Sequence, residues 1–440
     1  MKRGKFSLSV LQTADRAHVV ASLAAFAHKP ASGWLAPGSP GAGGNLPKRW
    51  DRVKAMPADE IVRALAAAGP NHCIDAWSFL ARALSALLAG DQHAARHFAY
   101  YMQLRAALSI LASVGVGIFN KTNFVVTATG AIDRLDPGAS AHAEGIGTHE
   151  IVWTALKEWS NDPSLAKQFL TLMRLQGSPI AECLDAIWPG YSPEAVAGKL
   201  VRIWTLDLAR ASNEQRARNQ SSYAPQALMQ IPVTTKDYLK LVAHIWDMCE
   251  PTAPGSFNQL DRHLLRESLW ANQGIAEPSL SRLDGAMSSR LDYLPSQVKF
   301  IADDNFLLGK SEPSLPDIIT YARQTSLPSS ALAMIARGVL LTRVATGFTC
   351  ANFTDAGIDL SGGALRPWLD PIGVDRGYWN PAAPQAEFAN LWTEVEEALE
   401  HLAEATKTQP LCRFDWSSQS PNGLSTISEA ERIGLWSLSA

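Results

Sequence analysis

The sequence predicts a mainly α protein: a multi-helix bundle with a small inserted β-hairpin and a second helical domain. Three observations carry this. Apolar residues recur at three- and four-residue spacing through most of the 440 residues, which is the helical period. Cap and stop residues punctuate those runs. Strand-like sequence is concentrated in one short stretch, from Val116 to Thr127. At this length two domains are expected, with one large or three small ones as the alternatives. The division read from composition is a segment 1–56 with a Gly/Pro-rich linker, a helical domain 57–230 with the hairpin near 114–129, and a helical domain 231–440 with an irregular loop near 349–384.

Taken in order, Lys29 to Pro47 is rich in Gly, Pro, Ser and Ala and reads as linker. Lys48, Arg49, Arg52 and Lys54 follow around Trp50; a small phosphate-binding patch is one reading, and a solvated face is the favoured one. A short helix is predicted from about Pro57 to Ala68, with Asp59 and Glu60 at its N-terminus and Gly69-Pro70 as its stop. The next helix, about Asp75 to Ala89, places Trp77, Leu80, Leu84 and Leu87 on one face. Gly90 stops it and Asp91 caps its neighbour, about Gln92 to Ser113, which turns Phe98, Tyr101, Leu104, Leu108 and Leu111 inward. Arg96, His97, Tyr100 and Arg105 are mixed into that helix. Either they line a polar pocket, or their stems lie on the bundle while their tips reach water, and the second reading is favoured. Two β-rich runs then flank Asn120-Lys121-Thr122-Asn123 as a hairpin with a four-residue turn.

Helices are next expected after Thr148, from Ser164, after Ser178-Pro179 and after Ser192-Pro193. The last of these becomes polar through Arg210, Glu214, Arg216 and Arg218. Asn213 to Thr235 is the candidate domain boundary, because Pro225 disfavours helix at Ala224. Further helices are marked by Tyr238 to Ile245, Leu260 to Leu269, Leu332 to Val339 (ended near Gly347) and Phe388 to Leu402. A short amphipathic segment from Glu429 to Leu438 closes the chain.

Composition excludes several function classes. The net charge is −3, so binding of nucleic acid over the whole surface is excluded and any such contact is local. Fourteen Trp are first of all core and interface residues. Cys73, Cys183, Cys249, Cys350 and Cys412 are scattered, which gives neither a zinc knuckle nor a disulfide framework. No cofactor and no metal are expected. Asp15 and Arg16 interrupt the first apolar stretch, and no uninterrupted run reaches the roughly 18 apolar residues of a membrane span. A cytoplasmic protein with no membrane contact follows from this reading.

The motifs that carry chemistry are mostly incomplete. His142-Ala143-Glu144 lacks the downstream cysteine pair that a zinc deaminase needs. His149-Glu150 lacks the second His of a zincin. Gly309-Lys310-Ser311 lacks the Gly of a phosphate loop, whose place is held by Asp304. Gly138 to His142 misses the final Gly of a nucleophile elbow. Asp303-Asp304 reads as a turn pair.

Arg218-Asn219-Gln220-Ser221-Ser222-Tyr223 remains. Arg218 is suited to fork onto a phosphate, and on a continuous helix Asn219 and Tyr223 share a face. The stretch resembles the Arg-polar-xxx-His motif of the HEPN superfamily of small α-helical bundles, with Tyr223 where His is expected. The resemblance implies an HEPN-like domain over 57–230, with Arg218 and Tyr223 as catalytic candidates and Arg216, Arg218 and Asn219 as ligand contacts. It also implies RNA or a nucleotide as ligand, in a bacterial nucleic-acid-linked defence or stress system. Tyr, with an ordinary pKa of about 10, is a poor base at neutral pH. The first expectation is therefore a binding or scaffold component, with a protein partner or homo-oligomer. Metal-independent ribonuclease and purely structural interaction protein are the two alternatives.

Overall fold

The computed structural model describes residues 5–26, 34–137, 145–204, 235–272, 288–312, 314–325, 329–361, 363–380, 382, 389–408, 418 and 420–438. The protein is mainly α, as the helical period predicts. Three short helices and turns, α1 (Leu8–Leu11), α2 (Ala17–Phe26) and α3 (Trp50–Lys54), precede the bundle. Lys48, Arg49, Arg52 and Lys54 are exposed around α3.

The two helices predicted on either side of Gly69-Pro70 are one, α4 (Ala58–Leu88), with Pro70 inside it. An interior Pro costs about 3 kcal/mol, since it has no N–H to give and its ring crowds the preceding turn. Packing outweighs that cost. Ala66, Ala67, Cys73, Ile74 and Trp77 are all buried around the proline, and a fully buried large apolar side chain is worth roughly 1.5–3 kcal/mol. The Ser109 hydroxyl donates to the Gly69 carbonyl at 2.8 Å, tying this turn to the next helix. Gly90, at φ 75°, ends the turn after α4. Asp91 then caps α5 (Gln92–Ser113) by accepting from the His93 and Ala94 amides.

α5 is buried nearly all round rather than on one stripe. Arg96 and Tyr100 are fully buried, so their tips do not reach water. Phe98, predicted inward, sits half-buried at the rim against Phe79 and His97. The hairpin follows, with a tighter turn than predicted. Strands β1 (Val116–Phe119) and β2 (Thr122–Val126) pair antiparallel with Phe119 opposite Thr122. The loop is Asn120-Lys121 alone, both at positive φ (37° and 75°), as two-residue hairpin turns require. A third strand, β3 (Ile132–Arg134), extends the sheet in the order β1-β2-β3.

Helices α6 (Thr148–Asn161), α7 (Pro163–Leu172), α8 (Ile180–Ile187) and α9 (Pro193–Trp204) come next. α7 begins at Pro163, one residue before the predicted Ser164, and Asp162 caps it. Ser178-Pro179 forms β5, paired with β4 (Arg174–Leu175), immediately before α8. After residue 235 come α10 (Thr235–Met248), α11 (Asn258–Asn272), a 3₁₀ turn (Ser288–Tyr293), α12 (Ser296–Ile301), α13 (Asp304–Leu307) and α14 (Asp317–Ala322).

The centre of the molecule is α15 (Ala331–Asp355), which runs through Gly347 instead of ending there. Gly347 marks a close approach: a Cβ there would lie 2.7 Å from Arg343 Nη1, so the glycine leaves room for a buried guanidinium. By length and composition α15 could cross a bilayer, but its whole apolar window is buried inside the protein. It packs on α4 and α5 and is stitched to them by polar contacts. Trp77 Nε1 donates to Thr346 Oγ1 at 3.0 Å, Gln103 Nε2 to the Met334 carbonyl at 2.8 Å, and Asn352 Nδ2 to the Ser113 carbonyl at 2.9 Å. Residues 349–384, predicted irregular, hold the end of α15 and also α16 (Arg366–Asp375). Helices α17 (Ala389–Thr408), α18 (Pro421–Ser428) and α19 (Glu431–Ser437) complete the chain. Most helices from α4 to α19 contribute buried residues to one apolar cluster. A second cluster gathers Trp34, Phe353 and Trp368 near the end of α15.

Candidate functional site

Arg216, Arg218, Asn219 and Tyr223 lie outside the described residues, as do His142 and Glu144. Other motif residues have structural duties. Asp303 caps α13 by accepting from the Phe306 amide at 2.8 Å. The Lys310 and Ser311 amides are both directed at the Asn305 carbonyl, so they close a helix end instead of cradling an anion. His149 Nδ1 pairs with the Tyr100 hydroxyl at 2.9 Å. Cys73, Cys183, Cys249 and Cys350 are buried free thiols. Burial pushes all four up, Cys73 to about 11 and Cys183 to about 12, which leaves them protonated and unreactive at neutral pH. Among the described residues no three His, Cys, Asp or Glu side chains are grouped to hold a metal ion.

The structure instead brings together residues from three separate segments. A cleft of about 380 Å³ opens between α10, α11 and the chain that follows α13. His244 and Asp247 line it from α10; Arg262 and His263 from α11; Glu312 and Ser314 from the loop. The helical period explains the placement on α11. Leu260, Leu264, Leu265 and Leu269 are fully buried. Arg262 and Arg266, four residues apart, lie one above the other on a single face.

Arg266 is the anchor. Its Nη1 donates to the Glu312 carbonyl at 2.9 Å, and its Nη2 approaches His263 Nδ1 at 3.0 Å. Its guanidinium lies 4.2 Å from the Phe306 ring centre and 5.0 Å from that of Trp270. Burial lowers it to about 10, with Glu267 and Glu312 working against that, so it stays cationic at neutral pH. Arg262 also lies over Phe306, at 4.6 Å, and its Nη2 pairs with Glu312 Oε2 at 2.9 Å. Glu312 thus meets both arginines, one with its backbone and one with its carboxylate. Its φ is +48°, in the left-handed region that costs an L-residue roughly 1–2 kcal/mol. Such strain persists only where the surroundings hold it.

Both histidines are kept neutral. His263 is pushed down to about 3, first by burial and then by the neighbouring Arg266 and Arg262. His244 is lowered by burial, against the pull of Asp317. The buried His244 Nε2, Arg262 Nε and Arg266 Nε have no hydrogen-bond partner among the described residues.

The His263 shift carries a stability expectation. Between about pH 3 and 6.5 the unfolded chain protonates this imidazole and the folded chain does not. The unfolded state then binds more protons, so stability falls as pH drops through 6.5. By pH 5 the loss from His263 alone should be about 2 kcal/mol, at 1.36 kcal/mol per pH unit. Urea midpoints measured from pH 7 to 5 should show it, and His263→Gln should flatten the slope. An unchanged slope in the variant would mean that this histidine is charged in the fold.

Sequence reasoning passed over this cleft, although one signal was present: two arginines at i and i+4 flanking His263 in one helix. No model of a protein family matches the chain, and no curated protein or solved structure matches it either.

Proposed function

We propose that this protein is a helical binding component that holds an RNA or nucleotide ligand in the cleft between α10 and α11 without cutting it. The observation that carries the reading is the convergence there of Arg262, His244 and His263 around about 380 Å³, with Arg266 holding His263 from behind. Arg266 is committed to backbone carbonyls and to His263, which makes the site pre-organised. His263, pushed down to about 3, is too weak a base to take a proton at neutral pH. The nucleic-acid part of the reading, and the placement in a bacterial defence or stress system, rest on the resemblance at Arg218-Asn219 and Tyr223, and the cytoplasmic placement on the scattered cysteines and interrupted apolar runs. A scaffold role is supported by Tyr293 and Phe300, which stand 72% and 83% exposed. They flank the Lys299–Asp292 ion pair and offer apolar surface to a protein partner or second copy.

The test is incubation of the full chain with labelled RNA, with and without EDTA, at two salt concentrations. Salt-sensitive binding without cleavage is expected. Ser314→Trp, which fills the cleft from an exposed position, should abolish that binding while leaving the melt unchanged. EDTA-resistant cleavage would instead establish the ribonuclease alternative, centred on Arg218 and Tyr223.

A further inference from the structure

We infer that the cleft is an oxyanion site in which His263 acts as a neutral N–H donor of fixed tautomer and Arg262 is the exchangeable cation. The inference rests on the binding reading above and names the chemical group bound.

The tautomer follows from hydrogen-bond chemistry. A guanidinium can only donate. Arg266 Nη2 lies 3.0 Å from His263 Nδ1, so Nδ1 must present its lone pair. A neutral imidazole with a lone pair on Nδ1 carries its proton on Nε2. His263 is only 3% exposed, lines the cleft, and has no described partner for that second nitrogen. The ring is fixed from two sides, by Arg266 and by an edge-on contact with Phe306 at 5.0 Å and 75°. The Nε2 side of the ring belongs to the cleft lining, where a ligand oxygen can accept its N–H.

Arg262 supplies the charge. Its Nη2 is held by the Glu312 carboxylate at 2.9 Å, and its buried Nε has no partner. Glu312 is half exposed, so its side chain can leave for solvent while its backbone carbonyl stays on Arg266. A carboxylate is itself an oxyanion, and Glu312 occupies Arg262 as an internal stand-in for the ligand. The other charged or titratable groups facing the cleft are His244 and Asp247 on α10, while Arg266 on α11 lies behind His263. Phosphate, sulfate and the phosphate of a nucleotide share the required chemistry.

The experiment titrates the full chain with sulfate, whose charge is constant from pH 6.5 to 8.5, by calorimetry. Adenosine monophosphate and adenosine are run as parallel arms. Saturable sulfate binding with the same affinity across that pH range is expected, because His263 stays neutral. Adenosine monophosphate should bind at least as well, and adenosine should not bind. His263→Phe should weaken sulfate about tenfold, the loss of one hydrogen bond to a charged group. Glu312→Gln should tighten it several-fold by removing the competing carboxylate. Thermal melts establish that each variant folds. If His263→Phe does not fold, His263→Gln and Arg262→Lys carry the comparison, each with a smaller loss.

Equal sulfate affinity in wild type and the His263 variants would overturn the inference. So would affinity that rises as pH falls, which would require a charged imidazole. Failure of the two readings is separable. RNA binding abolished by Ser314→Trp, with no sulfate or adenosine monophosphate binding, removes the oxyanion site and keeps the binding role. Sulfate binding with the expected variant pattern, but RNA binding indifferent to Ser314→Trp, does the reverse.

Discussion

Arg343→Met is expected to cost about 3–5 kcal/mol of folding free energy, the loss seen when one partner of a buried ion pair is removed. Arg343 and Asp261 are 1% and 0% exposed. They meet through two bonds, Nε to Oδ1 at 2.6 Å and Nη2 to Oδ2 at 2.9 Å. The pair joins α15 to α11, and two further bonds extend it, although Arg343 Nη1 has no partner among the described residues. Arg343 Nη2 also donates to the Arg174 carbonyl at 3.0 Å, and Asp261 Oδ2 accepts the Phe257 amide at 3.1 Å. Methionine keeps the length of the stem and leaves the carboxylate desolvated and alone. Adding Asp261→Leu removes that stranded charge and should recover part of the loss. Recovery should be incomplete, because the Phe257 N–H and the Arg174 carbonyl each lose a partner. Urea denaturation of the three proteins at pH 7 checks this. A change below about 1 kcal/mol in the single variant would mean that water reaches the carboxylate.

Trp77→Ala should cost a similar amount, about 3–5 kcal/mol. The indole is fully buried where α4, α15 and α19 meet. Its Nε1 donates to Thr346 Oγ1, and its ring centre lies 5.9 Å from that of Phe257. α19 lies so close that a Cβ on Gly434 would sit 2.4 Å from the indole. The cavity is therefore walled by three helices whose backbones are fixed elsewhere, and it cannot collapse cheaply. Trp77→Phe should cost less, since most of the ring volume remains and only the bond to Thr346 is lost. Equal melting temperatures for wild type and Trp77→Ala would show that the three helices do not share this core.

Much of the helical architecture was legible from residues alone because its signals are local. The Leu and Trp spacing that marks the second half of α4, the Gly90-Asp91 break and the apolar rows of α10, α11 and α15 each reflect one backbone period or one cap. The hairpin was legible for the same reason, as two β-rich runs flank an Asn-bounded turn, although its loop is two residues and not the four expected.

Where local signals and packing pulled apart, packing won. Gly69-Pro70 reads as a stop, yet α4 continues because both sides of the proline are buried. Gly347 reads as an end, yet it is the space that Arg343 needs. Arg96 reads as a surface residue, yet its Nε donates to the Ser329 carbonyl inside the protein. The candidate cleft was not legible, because His244, Arg262 and Glu312 come from segments whose proximity no periodicity encodes. By itself, then, the sequence determined the helical class, many of the element positions and the hairpin, since backbone propensity and side-chain period act within a few residues. The tertiary structure alone decided which helices run on through their breakers, which arginines are buried and which side chains face one another across a cleft. Those outcomes depend on burial and charge pairing between residues tens to hundreds of positions apart.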